Sequence, residues 1–202
     1  MREHARGNLV TFRRDHPVWA RVFTVNPLVV VGTREESGEY DFAPKHMAMP
    51  MGWENYFGFV CTPRHGTYHN ARREGAFTIS YPRPTQVLLA SLAAAPREGG
   101  GSKLAADILP TFPASEIDGL FLEDAYLFLE CALDRVADDF GDNSLIVGRI
   151  LAAHAREDYL LASERDEQDL IHDSPLLAYL NPGRYASIGE SRSFPFPAGF
   201  MR

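Results

Sequence analysis

The run Tyr56-Phe57-Gly58-Phe59-Val60-Cys61 is short, almost wholly apolar and rich in aromatic residues, so it reads as a strand covered on both faces and hence as a central one. What brackets it narrows the fold further. Before it comes an Ala43-Pro44-Lys45-His46-Met47 turn, and after it Thr62-Pro63-Arg64-His65-Gly66-Thr67-Tyr68-His69-Asn70. Both flanks are polar and dense in hydrogen-bond donors. One buried strand ending between two such turns is an arrangement that holds an anionic, partly aromatic ligand at a strand end.

The remaining signals are also mostly those of strands. Residues 22–33 are rich in β-branched side chains, and Glu35-Glu36-Ser37-Gly38-Glu39 separates them from Tyr40-Asp41-Phe42, which predicts a hairpin. Thr67 can cap a helical turn running to Glu74 and closed by Gly75, after which Ala76-Phe77-Thr78-Ile79-Ser80-Tyr81 alternates as a strand until Pro82. Beyond Pro84 and Thr85, the residues Val87, Leu88, Ser91, Leu92 and Ala95 recur at helical spacing, predicting a helix packed on the sheet. Gly99-Gly100-Gly101-Ser102 reads as a flexible linker, followed by one or two helical turns over 103–109.

Two long strands, 125–136 and 144–156, flank Asp138-Asp139-Phe140-Gly141-Asp142-Asn143 and predict a second hairpin. Residues 175–180 carry a short helical signal, and Pro182, Gly183, Pro195, Pro197 and Gly199 then suggest a tail laid on the protein's own surface or a partner subunit's. The expected organisation is one domain over residues 1–202, with an N-terminal extension at 1–20 and the tail from about 165. Strands outnumber helices and no strand-helix-strand unit recurs, so the fold class is mainly β with peripheral α, a partly closed antiparallel barrel.

With 202 residues, 45% of them hydrophobic, the chain can bury a full core. A net charge of -7 argues against a general nucleic-acid or membrane-surface binder, because phosphate is attracted by a basic field. Any phosphate site must be local. No run is long and apolar enough to span a bilayer, and His4, Arg6, Arg13, Arg14 and Asp15 interrupt the first twenty residues, so a cytoplasmic protein is expected. Cys61 and Cys131 lie in separate apolar runs and read as buried free thiols.

Several local patterns admit a plain reading. Arg64 taken alone is a solvated loop arginine; beside Thr67 and Asn70 it becomes one of three donors that converge if the turn is a site. His65 and His69 stand four apart, yet no glutamate follows His65 and Gly66 disfavours a helix through both, so surface or dimer-contact roles are expected and metal is not. Gly99-Gly100-Gly101-Ser102-Lys103 lacks P-loop spacing, and Asp138, Asp139 and Asp142 are ordinary hairpin-turn residues.

Taken in order, Asn26-Pro27-Leu28-Val29-Val30-Val31, Phe42-Ala43-Pro44, the strand into Arg64, Thr67-Tyr68-His69-Asn70, Gly75-Ala76-Phe77-Thr78-Ile79-Ser80, Leu129-Glu130-Cys131 and Gly141-Asp142-Asn143 leading to Val147-Gly148 resemble the flavin reductase-like family. The resemblance implies an FMN-binding split β-barrel, antiparallel and Greek-key-like, that pairs as a homodimer. It implies that Ala43, Pro44, Lys45, His46 and Met47 face the ribityl chain and the isoalloxazine edge, and that Cys61 and Thr62 end the strand beneath the ring. Arg64, Thr67 and Asn70 would receive the phosphate, and Lys103 would lie close to the flavin.

One departure bears on chemistry. Where relatives active with nicotinamides often carry histidine after the Gly-Asp of the last hairpin, this chain has Asn143, which can hydrogen-bond a carboxamide but does not titrate near neutral pH. Arg149 also replaces an acidic residue common in relatives. The expectation is an oxidoreductase in which FMN carries the chemistry, NAD(P)H donates electrons, and flavin or a small molecule accepts them. No protein acid or base is required. Specificity is expected from residues 96–113 and from Tyr185 and Phe194 of the tail. An FMN carrier or redox sensor without turnover, and a split-barrel scaffold without flavin, stay open beside it.

Overall fold

Residues 9–95, 108–161 and 166–199 are described by the computed structural model, in which Lys103, the glycine run before it and most of the segment 96–113 lie outside the described residues. The strands are β1 (Thr24–Pro27), β2 (Val29–Arg34), β3 (Tyr40–Lys45), β4 (Ala48–Pro50), β5 (Tyr56–Cys61), β6 (Ala76–Tyr81), β7 (Thr111–Pro113), β8 (Leu120–Leu122), β9 (Leu127–Phe140), β10 (Asn143–Ala155), β11 (Leu176–Asn181) and β12 (Arg184–Ile188). The helices are α1 (Gly66–Glu74), α2 (Val87–Leu92) and α3 (Glu167–Asp173).

Seven strands form one sheet in the order β3-β2-β6-β9-β10-β5-β4, and every pairing in it is antiparallel. Its two outermost strands, β3 and β4, are joined through His46 and Met47 alone. Two residues reach only about 7 Å, so the sheet must curl until its edges meet. The Val60 amide donates to the Met47 carbonyl at 2.8 Å and fixes the crossing. The result is a split β-barrel. Pro44 in β3 and Pro50 in β4 occupy edge strands, where the missing N–H leaves no ladder bond unmade.

Inside the curl, Phe57 and Phe59 of β5, Phe77 and Ile79 of β6, Cys131 of β9 and Ile146 of β10 are almost fully buried. Each large apolar side chain of this kind contributes about 1.5–3 kcal/mol through burial. Gly148 allows the close approach: a Cβ there would lie 2.5 Å from Phe77 Cζ and 2.9 Å from Cys131 Cβ. Tyr68 and Ala71 bring α1 against this interior cluster. The helix ends where Gly75 turns left-handed at φ 66° and its amide bonds to Ala71 O.

A second apolar layer, Val30, Phe42, Ala90, Ala93, Leu109 and Leu122, packs α2 onto β2 and β3. The sequence predicts Leu88 and Leu92 on the inner face of this helix, but they are 75% and 45% exposed, whereas Ala90 and Ala93 are fully buried. Close packing of a short helix on the sheet selects the smallest side chains. That choice places residues 93–95 beside the edge strand β3.

Other expectations need correction. β5 is not central but second from the edge, its outer face covered at Gly58 by Met51, whose Sδ would stand 2.9 Å from an added Cβ. α1 begins at Gly66, so Thr67 lies inside the helix rather than at its cap. Where helix is expected over 175–180, Leu176–Asn181 form strand: β11 pairs with both β1 and β12, so ladder hydrogen bonds on both sides outweigh a weak local helical preference. The helix sits just upstream as α3, with Asp166 accepting from the Gln168 amide. The expected tail is therefore partly a three-stranded sheet. The long hairpin forms as predicted, with β9 running on to Phe140 and Asp139 and Gly141 taking positive φ in the turn.

Glu130 is the one fully buried carboxylate of β9. It accepts from the Ser115 amide and hydroxyl, from the amides of Glu116 and Ile117, and from His154 Nε2 at 3.0 Å, and so pins the segment after β7 to the barrel. Burial by itself would raise its pKa, but these donors hold it down at about 2. Because the folded value lies below the ordinary 4.5, Glu130 adds stability at neutral pH that is lost as pH falls from about 4.5 to about 2. Glu130→Ala, which strands several buried donors, should cost about 3 kcal/mol in urea unfolding at pH 7, and the difference from wild type should shrink in that acid range.

Candidate flavin site at the split edge

The barrel's split leaves β3 paired on one side only among the described residues. Facing that edge is a cavity of about 350 Å³ lined by Asp41, Ala43, Pro44 and Lys45 of β3, by Arg64, His65, Gly66 and Thr67, and by residues 93–95 after α2. Asp41, Ala43 and Lys45 alternate along β3 and so share one face. The opposite wall is the start of α1. Its N-cap residue, His65, contributes no side-chain cap hydrogen bond, so the helix presents its first-turn amides and the positive end of its dipole to the space. Arg64, 77% exposed, adds a guanidinium at the mouth.

The charges are unevenly hidden. Lys45 is 9% and Asp41 3% exposed, unlike Arg64, and Cys61 next to them is equally buried at 2%. Burial pushes the Cys61 thiol up, against a hydrogen bond from Lys45 and one from the Tyr68 backbone that favour its ionised form. His46 lies beyond Lys45, and burial followed by repulsion from that ammonium lowers its pKa, so its imidazole is neutral at pH 7. The cavity thus offers cationic donors, free edge groups of a strand and no ionisable acid other than Asp41 among its described lining.

The tip of the long hairpin closes over this end. Arg64 Nη2 donates to Asp142 Oδ2 at 3.1 Å, and Asn143 follows directly as the first residue of β10. Behind them, Asp138 accepts from the Tyr68 hydroxyl at 3.0 Å and from the Ser144 hydroxyl at 2.6 Å, which ties the hairpin to α1. Those two hydroxyls lower the Asp138 pKa.

A second cavity of about 330 Å³ adjoins the first and shares Pro44 and Ala94 with it. Its walls come from Leu28 and α2 on one side and from the β11–β12 hairpin on the other, including Tyr179, Arg184 and Tyr185. His46 stacks on Tyr179 with ring centroids 4.4 Å apart.

Of the residues the sequence singles out, Ala43, Pro44, Lys45, Arg64 and Thr67 are brought together around the first cavity, and His46 around the second. Met47 faces a separate hollow with Trp19, Thr24, Asn26 and Asn181. Thr62 accepts from the Arg64 amide at 3.4 Å and shapes the turn. Asn70 is spent elsewhere: its amide donates to Thr33 at 3.2 Å and accepts from Arg73 at 3.2 Å, joining α1 to β2. Tyr185 lines the second cavity within its own chain, while Phe194 lies apart against Phe196. Sequence reasoning misses Asp41, His65 and residues 93–95, though the period-two spacing of Asp41, Ala43 and Lys45 is a signal for the first.

The model of the flavin reductase like domain matches residues 22–188, and the chain belongs to that flavin-binding family. Among solved structures it is similar to an FMN-binding protein from Thermus thermophilus with bound 1-cyclohex-2-enone, at 23% identity over 93% of this chain and 100% of that one, with a TM-score of 0.76. It is also similar to nitrilotriacetate monooxygenase component B from Bacillus cereus, at 17% identity, 92% and 98% coverage and a TM-score of 0.77. The 2-nitrobenzoate 2-nitroreductase NbaA of Pseudomonas fluorescens matches at 19% identity, 92% and 91% coverage and a TM-score of 0.74. No helix among the described residues is long and apolar enough to cross a membrane.

Burial also raises the Cys131 thiol, to about 12. Neither thiol should react with Ellman's reagent in the native protein at pH 8, and both should titrate once the chain is unfolded. A fast native thiol would place Cys61 in the open cavity.

Proposed function

We propose that this protein binds FMN in the first cavity and works as an oxidoreductase fed by NAD(P)H, passing electrons to flavin or to a small acceptor. The observation that carries the reading is the conjunction, at one split edge, of a helix N-terminus without a side-chain cap hydrogen bond, an arginine and a strand edge unpaired among the described residues. In this reading the phosphate lies at the amides of Gly66 and Thr67 with Arg64 beside it, because helix amides and a guanidinium both favour an anion there. The ribityl chain and the ring edge run along Ala43, Pro44 and Lys45.

When bound, FMN would supply hydride and electron transfer. This chain's own residues would position it and keep a cation near it: the Lys45 ammonium favours negative charge on its neighbour, and the closing hairpin limits water at the phosphate end. Asn143 would hydrogen-bond the nicotinamide carboxamide. The names of the similar proteins, an FMN-binding protein, a monooxygenase component and a nitroreductase, support the class of reaction without selecting the acceptor. A non-catalytic FMN carrier is the second reading, favoured by asparagine in place of histidine at 143.

The assembly proposed is a homodimer. Phe23, Val25, Met49 and Trp53 are 69%, 68%, 55% and 96% exposed, and β1 and β4, which carry two of them, touch. Exposed apolar side chains grouped in this way fit a second copy of the chain. The two free thiols fit a reducing cytoplasm.

Purified protein should be yellow or quench added FMN fluorescence, and Arg64→Ala should weaken FMN by about 1.5–3 kcal/mol. Asp142→Asn should tighten it about twofold by releasing Arg64 and removing a nearby negative charge. If neither changes affinity, Arg64 is only a surface partner of Asp142. Stopped-flow mixing with NADH and NADPH decides between enzyme and carrier, since rapid bleaching of bound flavin excludes the carrier. Light scattering should give the mass of two 22.6 kDa chains, and Trp53→Glu should shift it toward one.

A further inference from the structure

The second cavity has a composition that the FMN reading does not use. One wall is aliphatic, from Leu28, Val87, Ala90 and Ala94; the other is aromatic, from Tyr179 stacked on His46 with Tyr185 alongside. The Tyr179 hydroxyl is held by the Gly183 amide at 3.0 Å, and Tyr179 pairs with Tyr185 across the β11–β12 ladder, so the aromatic wall is built on a hairpin rather than on a mobile side chain. His46 is uncharged at neutral pH, as derived above. Arg184 is therefore the one charged residue among the described lining, and among the described residues it makes no ion pair.

A mainly aliphatic wall, broken by Ser91, and a wall of stacked rings favour a flat ligand, because a planar ring gains contact with both at little loss of rotational freedom. A lone cation at the rim selects an anion, and a guanidinium matches a carboxylate in shape as well as in charge. We propose that this cavity binds small planar aromatic carboxylates, with the ring between α2 and the Tyr179–His46 stack and the carboxylate at Arg184. The shared residues Pro44 and Ala94 set such a ligand next to the flavin, so this assignment names the substrate class of the proposed enzyme and rests on that reading for its catalytic meaning.

The test uses benzoate, which carries no substituent for a flavin to reduce and therefore reports binding alone, with benzamide as the uncharged isostere. Both are titrated by calorimetry into FMN-loaded and FMN-free protein. Benzoate is expected to bind the loaded protein at least about tenfold more tightly than benzamide, without displacing FMN. Arg184→Gln is expected to remove that preference and leave FMN affinity and the unfolding midpoint unchanged, and Arg184→Lys to restore part of it. Equal binding of the two probes, no binding of either, or competition between benzoate and FMN overturns the proposal, the last because the flavin ring would then fill this cavity. Benzoate binding with no FMN binding keeps the carboxylate site and overturns the flavin reading instead.

Discussion

The two-residue link between β3 and β4 is the constraint from which the rest of the molecule follows. Those strands are the far edges of a seven-stranded sheet, and a connection of only His46 and Met47 cannot bridge a flat one. The sheet closes on itself, its inward side chains become a single core, and the edges meet without zipping into a continuous ladder. A barrel closed by the chain rather than by hydrogen bonds retains a slot, and the slot is where the cavity lies.

An unpaired strand edge is ordinarily a liability, since its free N–H and C=O groups invite another strand. Here Pro44 removes one donor from the β3 edge, and the start of α1, residues 93–95 and the hairpin tip crowd the space beside it. These neighbours shield the edge from strand addition and leave a cavity beside it. The layer that seats α2 is equally indirect in its effect: the tight packing of Ala90 and Ala93 sets the position of the next two residues, of which Ala94 lines both cavities and Ala95 the first.

Polar groups inside this frame are organised in two ways. Glu130 is satisfied by four donors of one loop and by His154, which makes it a structural anchor. Lys45 and Asp41 are buried at the cavity wall, within influence of Cys61 and, for Lys45, of His46, so their charges act on whatever occupies the space. The same chain thus uses burial to fix a loop in one place and to poise a field in another.

Much of the local structure was legible in the chain. The β2–β3 hairpin, β6 ending before Pro82, the helix stopped by Gly75 and the long β9–β10 hairpin were set by alternation, turn residues and glycine, all of which act over a few neighbours. Ala43, Pro44, Lys45, Arg64 and Thr67, which the motif order singles out, line one cavity. The rest depended on distant partners. Residues 176–181 became strand because β1 and β12 lie on either side, Asn70 turned away because Thr33 and Arg73 reach it first, and α2 buried alanines because of its distance from the sheet. Sequence alone determined the local hairpins, the helix stop at Gly75 and the donors that flank β5; the tertiary structure decided that residues 176–181 join a sheet, which edge stays open and which side chains face it, because those follow from ladders between strands far apart along the chain.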